Sequence, residues 1–190
     1  MPPRTTRITL PSGNTLDVRP VPVGTAQDHK RVGDGDTGPN TGGMGTYAPA
    51  PIMTPELREE VMQRIILPTL HGMKAEGMPY QGVLFAGLMI TRDGPKLIEF
   101  NCRFGDPETQ VLMTRLDDNL ADILYQAAGG TLLKTPPKFK EQAAVCVVMA
   151  AKGYPGDYEK GSEIKGLGKA GALPGVTVPS FWNTALSLVT

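Results

Sequence analysis

The sequence predicts an α+β fold, with a mainly antiparallel sheet and helices packed on it. An apolar run at 82–90, a tight turn and a second strand at 96–101 together predict an antiparallel hairpin. Two stretches with apolar residues at three- to four-residue spacing, 54–76 and 106–130, predict helices. In the first of them Thr54 is the expected N-cap.

Three parts are predicted along the chain. Residues 1–25 are expected to form an edge segment with a small β-hairpin around a Pro-Ser-Gly-Asn turn. Residues 26–137 form the main α+β part, which ends at two consecutive prolines. Residues 138–190 form a partial, β-rich C-terminal domain, whose first strand is the apolar run at 143–151.

Composition and charge exclude several classes of partner. The 190 residues carry 19 basic and 19 acidic side chains, so no net charge attracts nucleic acid or a membrane surface. No apolar run has the length of a membrane span, and the N-terminus lacks the apolar core of a signal peptide. Cys102 and Cys146 lie far apart and are expected to be free thiols, which favours a cytoplasmic location.

Glu99, Asn101 and Arg103 stand at alternate positions at the end of the predicted strand 96–101. Side chains at i and i+2 of a strand lie on one face, roughly 7 Å apart, so Ile98 and Phe100 are expected to point the other way, into a core. A carboxylate beside an amide oxygen suits Mg²⁺, and an arginine suits a phosphate or a carboxylate. The pattern predicts a metal–phosphate site, and the alternative is an edge strand with one solvated face.

The stretch 27–49, QDHKRVGDGDTGPNTGGMGTYAP, combines five consecutive polar or charged residues with a run of glycines. Glycine has no Cβ and adopts positive φ, so a loop of this kind can bring backbone N–H groups close to an anion. Asp34 and Asp36 flank Gly35, where a carboxylate can orient an amine or a metal. The alternatives are a flexible linker and a structural Ω-loop.

Asp106 and Pro107 are predicted to start the second helix as its N-cap and its first residue. This helix N-terminus follows the strand that carries Glu99 and Asn101. Helix N-termini attract anions through their free N–H groups and dipole. The order of elements is therefore consistent with a nucleotide phosphate or an acyl phosphate between strand end and helix start.

Three stretches together resemble one family. They read QDHKRVGDGDTGPNTGGMGTYAPAP, GVLFAGLMITRDGPKLIEFNCRFGDPETQ and AAVCVVMAAKGYPGDYEKGSEI. They are similar to the phosphoribosylamine–glycine ligases (glycinamide ribonucleotide synthetases) of the ATP-grasp class, over a match from about residue 26 to residue 178. The resemblance implies an enzyme of purine biosynthesis. Such an enzyme joins glycine to 5-phosphoribosylamine through a glycyl phosphate, with ATP and Mg²⁺ or Mn²⁺.

The resemblance also assigns roles to individual residues. It implies that Glu99 and Asn101 are metal ligands and that Arg103 contacts the transferred phosphoryl group or the acyl phosphate. Lys30 and Arg31 are implied as further catalytic residues. The implied substrate- and phosphate-binding residues are Asp28, Asp34, Asp36, Gly42, Gly43, Asp106 and Glu108, of which Asp106 and Glu108 are candidates for holding an amine.

The chain is expected to correspond to the C-terminal half of the family's ATP-grasp region and to the start of its last domain. The family's N-terminal domain and its adenine-holding residues have no counterpart in the sequence. Two alternatives to a complete ligase therefore stay open: a catalytically incomplete Mg–phosphate-binding fragment, or one half of a split ligase. In the second case the partner is a complementing N-terminal half, and exposed sheet surface also favours self-association.

Overall fold

A computed structural model describes residues 22–129 and 136–178 in full, and the backbone of three strands at 6–9, 15–18 and 186–189. The chain divides into two compact units. The first unit contains Met1–Val23, Met53–Arg103 and Asn119–Pro137, and the second contains Gly24–Ile52, Phe104–Asp118 and Lys138–Thr190. The predicted turn at 11–14 and most of the predicted tail from 179 onward lie outside the described residues, and the predicted three-part division stays a prediction.

Strands and helices both occur in each unit. The strands are β1 (Thr6–Thr9), β2 (Thr15–Val18), β3 (Gln27–Asp28), β4 (Arg31–Gly33), β5 (Thr37–Asn40), β6 (Gly45–Ala48), β7 (Phe85–Thr91), β8 (Gly94–Asn101), β9 (Ala144–Met149) and β10 (Leu186–Val189). The helices are α1 (Pro55–Val61), α2 (Leu67–Ala75), α3 (Glu108–Arg115), α4 (Leu120–Ala128) and α5 (Leu167–Gly171). No helix in the described ranges has both the length and the apolar character needed to cross a bilayer.

The helical stretch of the first unit begins as the sequence predicts. Thr54 Oγ1 accepts a hydrogen bond from the Leu57 N–H at 3.2 Å, which satisfies one of the free donors of the first turn. Between α1 and α2 the backbone forms a π-helical segment, Met62–Ile66, which ends two residues before Pro68. Pro68 has no N–H to donate. Gly77, with φ +79°, follows the end of α2.

The predicted antiparallel hairpin is present as β7 and β8, but its register contains a bulge. Gly87 pairs with Glu99 and Leu88 pairs with Leu97, so Ile98 has no partner on the opposite strand. The prediction that Ile98 points into a core is wrong, because the extra residue breaks the alternation of faces and leaves Ile98 63 % exposed. The first unit also contains the antiparallel pair of β1 and β2.

The second unit is built on a four-stranded antiparallel sheet in the order β10-β9-β6-β3. The apolar run at 143–151 forms β9, and α3 packs against β6 and β9. The core contains residues from all three elements: Ala48, Val111, Leu112, Ala144 and Cys146. Only one face of β9 is buried, since Val147 and Met149 on the other face are exposed.

Two expectations about the site segments are wrong. Residues 27–49 do not form a single loop, because backbone pairing divides them into β3, β4, β5 and β6. The second helix begins at Glu108, not at Pro107, and Asp106 is not its N-cap. The Asp106 carboxylate accepts from the Gln110 side-chain amide at 2.8 Å instead of capping a backbone N–H.

The predicted helix 106–130 is present as two helices that belong to different units. α3 ends at Arg115, and α4 begins after Asn119. The Asn119 side chain accepts from the Ala121 N–H at 2.9 Å and so caps α4. The break places α3 with the sheet of the second unit and α4 in the first unit.

Candidate functional site

The residues singled out from the sequence fall into two groups, one in each unit. Glu99, Asn101 and Arg103 belong to the first unit. The second unit holds Asp28, Lys30, Arg31, Asp34, Asp36, Gly42, Gly43, Asp106 and Glu108.

Glu99 and Asn101 lie side by side at the end of β8. The Asn101 Nδ2 donates to Glu99 Oε1 at 3.1 Å, which shows that the two side chains share one face of the strand. Opposite Glu99 stands Gly87, where a Cβ would lie 3.2 Å from Glu99 Cγ. The glycine therefore leaves room for the Glu99 side chain against the partner strand. Arg103 follows two residues after the end of β8.

The donor set of this pair fits a divalent cation that shares its coordination with a ligand. The Asn101 amide oxygen and the second Glu99 carboxylate oxygen are hard donors, as Mg²⁺ prefers. No group of three or more His, Cys, Asp or Glu side chains that could hold a metal occurs within the described ranges. Mg²⁺ is commonly held by one or two protein oxygens together with water and substrate phosphates, so a pair of this kind suffices.

In the second unit, Asp28 and Lys30 form an ion pair next to the glycine-rich segment. Lys30 Nζ lies 2.5 Å from Asp28 Oδ2 and donates to the Gly42 carbonyl at 3.1 Å. The Asp28 side chain is only 7 % exposed, and its Oδ1 has no hydrogen-bond partner in the described part of the structure. A buried carboxylate with an open acceptor is costly unless something else neutralises or donates to it.

Glu108, at the start of α3, is buried beside this pair. Burial raises the pKa of the Glu108 carboxyl, and the negative charges of Asp28 and Asp106 act in the same direction. The Glu108 backbone N–H and the Lys30 ammonium lower that pKa. Two buried carboxyl groups and one ammonium thus interact electrostatically, and we call Asp28, Lys30 and Glu108 the Lys30 cluster.

Gly43 lies very close to both Pro107 and the Asp28 carboxylate. Its φ is +136°, and a Cβ at this position would lie 2.4 Å from Pro107 Cδ and 2.9 Å from Asp28 Oδ1. No real side chain has such contacts, so only glycine fits between the segment before α3 and the Asp28 carboxylate.

The backbone N–H groups of Gly42 and Gly43, which the sequence predicts as anion donors, bond within the protein. Gly42 N–H donates to the Tyr154 hydroxyl at 3.1 Å, and Gly43 N–H donates to Thr41 Oγ1 at 3.0 Å. Sequence reasoning missed both acceptors. Thr41 lies in the glycine-rich stretch, where a hydroxyl next to glycines is a local signal, but Tyr154 is 112 residues away from Gly42 and leaves no spacing pattern.

Arg31, Asp34 and Asp36 lie on the hairpin of β4 and β5. Arg31 Nη1 donates to the Gly38 carbonyl at 2.6 Å and so spans the hairpin. Asp34 and Asp36 are exposed in its turn, where Asp36 adopts φ +59°. The structure therefore gathers Asp28, Lys30, Glu108 and the two glycines, and it leaves the carboxylates of the turn in solvent.

Comparison with known proteins places these residues in a known family. The sequence profile of the phosphoribosylglycinamide synthetase, ATP-grasp (A) domain matches residues 10–109. A phosphoribosylamine–glycine ligase of Mesorhizobium japonicum is 62 % identical over 150 residues, which are 79 % of this chain and 35 % of that protein. A phosphoribosylamine–glycine ligase of Vigna unguiculata is 56 % identical over 161 residues, or 83 % of this chain and 52 % of that protein. The chain thus spans about a third to a half of these curated relatives.

Solved structures lead to the same fold. The crystal structure of a phosphoribosylamine–glycine ligase from Thermotoga maritima matches 86 % of this chain and 42 % of its own, with a TM-score of 0.61 and 32 % identity. The biotin carboxylase subunit of a pyruvate carboxylase matches 90 % of this chain and 38 % of its own, with a TM-score of 0.55 and 17 % identity, a likeness that shows the fold alone. The predicted resemblance and the predicted α+β, ATP-grasp fold are confirmed.

Proposed function

We propose that this chain, which belongs to the phosphoribosylglycinamide synthetase family through its ATP-grasp (A) domain, takes part in the ligation of glycine to 5-phosphoribosylamine. The reaction consumes ATP, requires Mg²⁺ and is a step of purine biosynthesis. The relatives that carry the ligase name are longer than this chain, so the activity of the chain itself is the proposal.

One observation carries the proposal. Glu99 and Asn101 lie within hydrogen-bond distance on one face of β8, inside the stretch that matches the family profile. A carboxylate and an amide oxygen so placed are the donors for a Mg²⁺ that also binds nucleotide phosphates. When bound there, the metal would neutralise negative charge on those phosphates.

The proposed reaction has two steps. A glycine carboxylate oxygen attacks the γ-phosphorus of ATP, the bond from that phosphorus to the bridging oxygen breaks, and ADP leaves. The phosphoribosylamine nitrogen then attacks the acyl carbon of the glycyl phosphate, loses a proton and releases phosphate. Neither step needs a side-chain nucleophile, so the protein contributes fixed charge and orientation.

The cationic residues are proposed to stabilise the charge that develops. Lys30, held between Asp28 and the Gly42 carbonyl, and Arg31, fixed across its hairpin, present charges that cost little reorganisation. Arg103, just beyond β8, is proposed to contact the transferred phosphoryl group or the acyl phosphate.

The acidic residues and glycines are proposed to bind substrate. The open Asp28 acceptor and the buried Glu108 support a site for an amine, with Asp106 close by. Gly42 and Gly43 are proposed to lie beside the phosphate-bearing ligand. The exposed Asp34 and Asp36 are proposed as further substrate-binding residues.

Location and partners are proposed as well. We infer a cytoplasmic location from Cys102 and Cys146, which form no disulfide within the described residues. Two partners are proposed, a complementing N-terminal part of the ligase and a second copy of the chain. The exposed face of β9, with Val147 and Met149, supports both, because apolar sheet surface favours association.

The test uses the purified chain and two glutamate variants. Mg–ATP is titrated calorimetrically, and ATP consumption is then measured with glycine and 5-phosphoribosylamine. In the Glu99→Gln variant Mg–ATP binding should weaken at least about tenfold, which corresponds to about 1.4 kcal/mol. Glu76→Gln removes an exposed carboxylate at the end of α2 and should behave as the wild-type chain.

ATP consumption that requires both glycine and 5-phosphoribosylamine, and that Glu99→Gln abolishes, would support ligation by this chain. Binding that depends on Glu99 without any consumption would refute ligation and leave a phosphate-binding fragment. Equal binding in the wild-type and Glu99→Gln chains would contradict the metal–phosphate site itself.

A further inference from the structure

Tyr154 lies in a tight turn that follows β9 in the second unit. Its backbone N–H donates to the Ala151 carbonyl at 3.1 Å, and its ring packs edge-on against Tyr158 with the ring centroids 6.1 Å apart. Gly153 adopts φ +105°, and a Cβ there would lie 2.4 Å from the Asp157 carbonyl oxygen, so the turn has little freedom. The backbone hydrogen bond and the contact with Tyr158 therefore both restrain the half-buried Tyr154 ring.

The Tyr154 hydroxyl begins a series of polar contacts that ends in the Lys30 cluster. It accepts the Gly42 N–H at 3.1 Å, and the Gly42 carbonyl accepts from Lys30 Nζ at 3.1 Å. Lys30 Nζ in turn lies 2.5 Å from Asp28 Oδ2. All four residues belong to the same compact unit.

Gly42 needs such restraint because it has no side chain. Both peptide groups that flank its Cα rotate more freely than those of any other residue. On its N-terminal side, Thr41 bonds to the Lys30 carbonyl through its N–H at 2.7 Å and its hydroxyl at 2.9 Å. The Tyr154 hydroxyl is the long-range contact on the Gly42 N–H itself and holds the Thr41–Gly42 peptide group. The next peptide group, which carries the Gly42 carbonyl, is held by the bond from the Gly43 N–H to Thr41 Oγ1 at 3.0 Å.

We propose that Tyr154 is a positioning residue for the Lys30 ammonium. By accepting the Gly42 N–H, its hydroxyl holds one of the two peptide groups of Gly42, and Thr41 holds the other, whose carbonyl accepts from Lys30 beside Asp28. The inference rests on the proposed function, in which Lys30 stabilises negative charge on the transferred phosphoryl group. Tyr154 itself does not touch the reacting atoms.

The test compares Tyr154→Phe with Tyr158→Phe in the full chain without any ligand. Each variant removes one hydroxyl and keeps its ring. The charged groups around Glu108 are Asp28, Lys30 and Asp106. Because the Lys30 charge lowers the pKa of Glu108, an ammonium that moves away should let that pKa rise.

The first measurement is the pKa of Glu108, from the carboxyl ¹³C shift in an NMR titration. Tyr154→Phe should raise it and Tyr158→Phe should leave it unchanged. The second is the order parameter of the Lys30 side chain, which should fall only in Tyr154→Phe. A wild-type pKa in Tyr154→Phe, an equal shift in both variants, or a raised pKa with no change in Lys30 order would each overturn the proposal.

A third measurement needs no variant. In the wild-type chain the Gly42 amide proton should exchange with solvent more slowly than an unprotected glycine amide. Exchange at the unprotected rate would show that the Tyr154 acceptor does not hold, and the proposal would fail. Since no step uses ATP, glycine or phosphoribosylamine, failure of the proposed function would leave these measurements interpretable.

Discussion

Replacement of Gly43 by alanine should destabilise the second unit through two separate effects. The φ of +136° carries a penalty of about 1–2 kcal/mol for a residue with a Cβ. The new Cβ would also lie 2.4 Å from Pro107 Cδ, and overpacking of this kind costs about 1–3 kcal/mol. Pro107 is buried and its ring is rigid, so relief must come from the backbone. Together these effects give a loss of about 2–5 kcal/mol.

Gly35→Ala is the matched control. Gly35 belongs to the same unit and has φ +70°, but a Cβ there would meet no atom within 4 Å. The unfolding free energy of Gly35→Ala should therefore fall only by the backbone penalty, about 1–2 kcal/mol. The difference between the two variants measures the contacts of residue 43 with Pro107 and Asp28.

Urea unfolding followed by far-UV circular dichroism measures that difference. With a slope of about 2 kcal/mol per molar urea, a contact worth 2 kcal/mol moves the midpoint of Gly43→Ala about 1 M below that of Gly35→Ala. Equal midpoints at equal slopes would refute the close approach of Gly43 to Pro107 and Asp28.

Two further predictions concern the core and the buried acid. Val111→Ala removes two methyl groups from a side chain that is 0 % exposed and should cost about 2 kcal/mol in urea unfolding, whereas Val147→Ala, at a position 51 % exposed, should cost less than about 0.5 kcal/mol. Equal losses would contradict the placement of the core. Because burial raises the pKa of Glu108, its stabilising contribution is fully present below the usual value of 4.5 and is lost as pH rises through the raised pKa. The unfolding free energy of Glu108→Gln should therefore fall less between pH 4.5 and neutral pH than that of the wild-type chain, and parallel pH dependences would refute this assignment.

Elements that depend on neighbouring residues were predictable from the sequence. The cap at Thr54 and the hairpin of β7 and β8 follow from local propensity, period and turn chemistry. The adjacency of Glu99 and Asn101 followed from the two-residue period of a strand, and the side chains do meet.

Features that depend on distant residues or on one extra residue were not predictable. The bulge at Ile98 arises from the pairing of two strands, and the apolar pattern of one strand does not contain it. The pairing of β6 with β9 and the bond from Gly42 to Tyr154 join segments about a hundred residues apart. The division of 27–49 into strands likewise depends on partners, because its many glycines weaken every local preference.

The two compact units are assembled from segments that alternate along the chain. The chain passes from one unit to the other after Val23, Ile52, Arg103, Asp118 and Pro137. A recombination event that copies one continuous stretch of gene therefore cannot carry one complete unit without also carrying segments of the other. Any continuous stretch that holds the complete second unit, with Lys30, therefore also holds the carboxylate–amide pair of Glu99 and Asn101.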